Sequence, residues 1–152
     1  MKKIKFDSTY STAEINIIGI STPMPDYKLV WHLNQEERYN FVKKEDFSFL
    51  PLKEDKFVNF SFYSYDDKEN YLSYCLIANK SGAQYLIPEF KSFDFLMFVN
   101  GNTVEEKSGY LISHLKRIRN IALIVNIELK KIKALDLILN DLEMFKLTLK
   151  KK

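Results

Sequence analysis

Two carboxylates five residues apart, Glu89 and Asp94 in the stretch Ile87-Pro88-Glu89-Phe90-Lys91-Ser92-Phe93-Asp94-Phe95, are the side chains best placed for chemistry in this chain. Such a pair can divide the roles of general acid and general base, or hold a hard cation through oxygen. The same residues also have a structural use. Pro88 fixes its own φ and withholds a backbone donor, so the chain entering the next strand is irregular and its remaining N–H groups need acceptors. Glu89 is expected to accept some of those bonds, and Asp94 to pair with a basic side chain such as Arg38 or Arg117. Locking of this loop is therefore the first expectation, ahead of partner recognition, catalysis or metal binding.

Other reactive types are sparse. His32 and His114 fall in different predicted helices with no Cys or second His at ligand spacing, and both read as half-exposed helix residues rather than zinc ligands. The lone Cys75, flanked by Tyr74 and Leu76, excludes an intramolecular disulfide or a multi-cysteine zinc cluster and reads as a buried strand thiol in a reducing compartment. There is no Gly-x-Ser-x-Gly elbow, and Gly19, Gly82, Gly101 and Gly109 are too scattered to cradle a phosphate. No catalytic residue, metal or cofactor is assigned on these grounds. Lys116, Arg117 and Arg119 form the sharpest basic cluster, at the end of a predicted helix, where cations offset the helix dipole by about 0.3–1 kcal/mol. Their alternative use is nucleic-acid contact. Together with Lys130, Lys131 and Lys133 and the aromatics Phe57, Tyr63 and Tyr65 they would make a platform for single-stranded RNA, although no RNP-type aromatic motif is present.

The elements that must position these groups follow from composition and periodicity. A chain of 152 residues fits one domain, and folding at that size removes about 68–70% of the unfolded surface. Aromatic residues make up 14%, mostly Phe and Tyr, which points to a substantial β-sheet with an aromatic face. A net charge of +3 is close to balance and names no nucleic-acid partner. No 18-residue apolar run is present to span a bilayer, and Lys5, Asp7 and Ser8 break the run that a secretory leader would need after Met1-Lys2-Lys3. A cytoplasmic protein is expected.

Along the chain, Ile4-Lys5-Phe6 alternates like a short first strand. Ser11 and Glu14 have capping-box spacing and favour a helix towards Gly19, while the β-branched run from Ile15 to Ile20 also suits a strand. Thr22-Pro23 predicts a helix from Pro23 to Glu37. Phe57 to Tyr65 and Tyr71 to Asn79 read as a hairpin, Lys80 to Ala83 as a turn, and Phe93 to Asn100 as the next strand. Thr103 and Glu106 predict a second capped helix, Ile121 to Ile127 a buried central strand, and Ile132, Leu135, Leu139 and Leu142 a last helical stripe. The assembled expectation is a single-domain α+β two-layer sandwich, a mainly antiparallel sheet of about five strands with helices packed on one face, ferredoxin-like in element order.

The stretch from Ile87 to Phe95 resembles the signature of the bacterial IPExxxVDY family, with Ile87-Pro88-Glu89 followed after three positions by Phe93-Asp94-Phe95 in place of Val-Asp-Tyr. Ile18-Gly19-Ile20-Ser21, Asp26-Tyr27-Lys28-Leu29, Asn70-Tyr71-Leu72 and Asn79-Lys80-Ser81 resemble further blocks of it. The resemblance implies a domain over residues 1–138, followed by a C-terminal helical extension and basic tail over 139–152, and it implies no catalytic residue. Phe95 lacks the hydroxyl of the family's tyrosine. The resulting functional expectation is a non-enzymatic cytoplasmic domain that binds another protein, or itself, through an aromatic sheet face or edge and the Ile-Pro-Glu loop. The alternatives are a small metal-dependent enzyme or metal-binding protein using Glu89 and Asp94, and an RNA-associated accessory protein.

Overall fold

In the computed structural model residues 14–151 are described, so the strand expected at residues 4–6 and the Ser11 half of the first capping signal lie outside the described residues. The segment read towards a helix is instead strand β1, Ile15–Ser21. Its isoleucines divide by parity, Ile15 and Ile17 entering one core and Ile18 and Ile20 the other. β-branched residues suit a pleated strand buried on both faces better than they suit a helix. Helix α1, Asp26–Leu33, is shorter at both ends than expected. Pro25 disfavours helical backbone at Met24, so the helix starts after it. At the other end Asn34 turns back, its amide donating to Phe41 O and accepting from Phe41 N.

The chain continues through β2 (Val42–Lys43), β3 (Phe47–Phe49), β4 (Val58–Phe60) and β5 (Phe62–Asp67). The single strand expected from Phe57 to Tyr65 is thus two, interrupted at Ser61, whose hydroxyl donates to Asp26 Oδ2. β3 and β4 form their own hairpin, whereas β5 joins the main sheet. Then come β6 (Leu72–Ala78), a small hairpin of β7 (Lys80–Ser81) and β8 (Gln84–Tyr85) where a bare turn was expected, and β9 (Phe95–Gly101). Helix α2 (Val104–Lys116), β10 (Leu123–Asn126) and helix α3 (Leu135–Lys150) complete the described residues. The capping box expected at α2 does not form. Thr103 has φ +52°, its hydroxyl bonds Asn102 O, and Glu106 instead accepts from Tyr110.

Among the described residues the main sheet has six strands in the order β10-β1-β9-β6-β5-β2, and every neighbouring pair is antiparallel. The α+β class with a mainly antiparallel sheet is as expected. The ferredoxin-like order is not: β1 lies between β9 and β10, antiparallel to both, leaving no parallel pair among the described residues for a split βαβ unit. Helices cover both faces rather than one. On one side Leu96 and Phe98 of β9 pack with Ile77 of β6, the β3–β4 phenylalanines and Ile138, Leu139 and Leu142 of α3. On the other, Phe95, Met97 and Val99 pack with Leu29 and Leu33 of α1 and Leu111 and Leu115 of α2. The unbroken apolar runs of β6 and β9 are the cause, since a strand apolar at both parities must be covered twice.

Three further expectations are corrected by this arrangement. The aromatic sheet face is interior, not a surface. The boundary at residue 138 falls within α3, which is one continuous docked helix. Ile121 to Ile127 is not central, because among the described residues β10 is an edge strand, with Leu123 and Val125 exposed and Ile127, past its end, buried. Among the described residues no helix is long and apolar enough to cross a membrane.

Candidate functional site

Where β6 ends, the buried Asn79 organises the Ile-Pro-Glu loop. Its backbone N–H donates to Asp94 O at 2.9 Å and its carbonyl accepts from Leu86 N at 2.8 Å. Its side-chain Oδ1 accepts from Ile87 N at 2.8 Å, and Nδ2 donates to Phe90 O and to Phe93 O, each at 3.0 Å. A buried amide used at every polar atom in this way holds irregular backbone as a strand ladder would. Pro88, Glu89 and Phe90 form one 3-10 turn within that frame, closed by Phe90 N to Ile87 O at 3.1 Å.

The carboxylates divide differently from expectation. Asp94 Oδ2 accepts from Thr22 N at 2.8 Å, and its own N–H donates to Ile20 O at 2.9 Å, so Asp94 ties the loop to β1. It does not pair with Arg38 or Arg117: Arg117 lies 3.6 Å from Glu36, and Arg38 stands over the Tyr110 ring. Glu89 is exposed and has no hydrogen bond or ion pair among the described residues, so the loop-satisfying role expected of it belongs to Asn79. Ser21 Oγ donates to Ser92 O, adding a second tie to β1. Phe93 lies over Gly19, where a Cβ would stand 2.6 Å from the ring, while Phe95 points into the opposite core. Among the described residues no group of three or more His, Cys, Asp or Glu side chains could hold a metal ion.

The basic platform does not assemble. Lys116, Arg117 and Arg119 are exposed at the end of α2, but Lys130 and Lys131 flank Glu128 at 3.9 and 2.9 Å beyond β10. Tyr63 is buried on the α1 side of the sheet, whereas Phe57 adjoins the β3–β4 hairpin on the other side. Cys75 is buried, and that burial pushes its thiol above the ordinary range, which keeps it protonated and unreactive.

Sequence reasoning missed a ring cluster nearer the other end of β6. Tyr39 packs edge-on to Tyr74 at 5.7 Å and stacks on His114 at 5.8 Å, and Tyr65 stacks on Tyr74 at 5.7 Å. His114 is buried, not half-exposed, with Nε2 3.1 Å from Leu33 O. Burial pushes the Tyr39 hydroxyl up to about 12 and raises Tyr74 and Tyr65 as well, so all three stay neutral donors at ordinary pH. The alternation of Tyr39 with Phe41 and of Tyr63 with Tyr65 was the available signal, and it carried no information on which rings meet. Also unforeseen is a pair one turn apart on the outside of α1, Tyr27 and Trp31, 69% and 59% exposed. Comparison with models of known protein families, with curated proteins and with solved structures finds no match for this chain.

Proposed function

We propose that the chain is a non-enzymatic domain that binds another protein, or a second copy of itself, through the outer surface of α1 beside the Ile-Pro-Glu loop. The observation that carries this reading is the exposed Tyr27–Trp31 pair. Large aromatics on a helix cost solvation when left in water, and Trp and Tyr are the residues that most often anchor protein interfaces. Asp94, at the end of the Ile-Pro-Glu stretch, accepts from Thr22 N a few residues before α1 begins, which braces the chain that enters the helix. Membership of the IPExxxVDY family belongs to the same reading and rests on Ile87-Pro88-Glu89 and Asp94. A reducing, cytoplasmic setting suits its lone buried cysteine.

The test compares wild type with Trp31→Ala and Tyr27→Ala in sedimentation velocity and in native affinity purification. Both side chains are outside the core, so the variants should melt as wild type does. Loss in the variants of a dimer or of a specific co-purifying protein is expected. A wild-type protein that is monomeric and partnerless, or an association unaffected by either substitution, would exclude this surface.

A further inference from the structure

Tyr39 and Tyr74 are 4% and 2% exposed, yet neither hydroxyl has a hydrogen-bond partner among the described residues. Neither oxygen is sealed away, for among the described residues Ser73 Oγ is the buried side-chain polar atom left without a partner. Both tyrosines line a cleft of about 530 Å³, bounded by the α1–β2 connection, the β5–β6 turn and α2. That is within the size of pockets that take small molecules, roughly 300–1,000 Å³. Hydroxyls fixed by buried rings and open to a cleft are donors already in position, with no acceptor supplied by the protein.

The charges around the cleft complete the set. The Arg38 guanidinium stands 5.2 Å and the Lys107 ammonium 5.4 Å from the centre of the Tyr110 ring, and neither forms an ion pair among the described residues. The nearby carboxylates have partners of their own, although Asp67 keeps its charge within reach of Tyr39 and Tyr74. Asp67, which lines the cleft, accepts from the backbone and amide of Asn70; Glu106 accepts from Tyr110; Glu36, in an adjoining depression, faces Arg117.

We propose that this cleft binds a small organic anion, its phosphate or carboxylate oxygens held by Arg38 and Lys107 and met by the hydroxyls of Tyr39 and Tyr74, with Tyr110 as an aromatic rim. Arginine presents a donor fork matched to either oxyanion, lysine adds a point charge, and the tyrosines discriminate against halide by direction. The site does not use the α1 surface, so its failure and that of the protein-binding reading are separable.

Inorganic phosphate and citrate, titrated separately at ionic strength held constant with sodium chloride, test the proposal by melting temperature and backbone amide NMR shifts. Stabilisation is expected, with shift changes concentrated at residues 38–39, 67–74 and 107–114. Arg38→Gln and Lys107→Gln each weaken the response by about tenfold, as loss of a charge-assisted bond does. Lys116→Gln, an exposed cation near the end of α2, leaves it unchanged. A response to phosphate alone assigns a phosphorylated ligand, and one to citrate alone a carboxylate. No response beyond that to chloride, or full binding by Arg38→Gln, overturns the site. Neither Arg38 nor Lys107 is buried, so these variants are expected to fold as wild type does.

Discussion

Replacing Asn79 by Ala would strand Ile87 N–H and the Phe93 carbonyl inside the protein, while the Phe90 carbonyl would keep its bond from Phe93 N. Leaving such groups unpaired costs about 1–3 kcal/mol for each, partly relieved by movement of the loop, so a loss of about 2–4 kcal/mol is expected in urea unfolding. Glu89→Gln should change stability by less than about 0.5 kcal/mol, the usual size for an exposed side chain without partners. Equal losses in the two variants would refute the central place given to Asn79. Gly19→Ala sets a methyl against the Phe93 ring at 2.6 Å, with overpacking expected to cost about 1–3 kcal/mol and to lower the melting temperature. The motif around Glu89 and Asp94 was legible because proline and carboxylates are conspicuous in sequence. Asn79 was not, since an asparagine after an apolar run looks the same whether its amide is solvated or buried.

α3 seals one face of the sheet with Leu135, Ile138, Leu139 and Leu142. Leu142→Ala should therefore cost about 2–4 kcal/mol by the lost burial and the cavity left behind. Ending the chain after residue 138 removes most of the helix and uncovers the β3–β4 phenylalanines, and a broad or absent thermal transition by circular dichroism is expected. A cooperative melt in that truncated protein would mean that the helix is an ornament on the fold. Strands β6 and β9, α2 and the helical stripe of α3 were legible from period and turn residues. What periodicity missed was pairing. The apolar runs of β9 and of residues 121–127 look alike, yet β9 has strands on both sides and β10 on one, a difference made by long-range register. At β1 local capping spacing favoured a helix, and tertiary burial on both faces decided for the strand.

Taken whole, the molecule holds Tyr39 and Tyr74 between a sheet and two helices, which makes its stability sensitive to alkali. The Tyr39 hydroxyl, raised by burial from 10.0 to about 12, keeps its proton in the folded protein after the unfolded chain has lost it. The unfolded state therefore binds fewer protons between those values, so this contribution is full below pH 10 and disappears as pH rises towards 12. Urea unfolding across that window should show the decline, and Tyr39→Phe should make it shallower. An α+β class was legible from composition and strand spacing, whereas the second helical layer required knowing that both parities of the central strands are covered. Trp31 is the one tryptophan of the chain, and it stands on the outside of α1 rather than in either core. Its emission will consequently sit near the wavelength of a solvated indole in the native state and move little on unfolding. Far-ultraviolet ellipticity or tyrosine signals must follow the folding transition, and a blue shift of the indole band becomes a label-free reporter of anything that covers that helix.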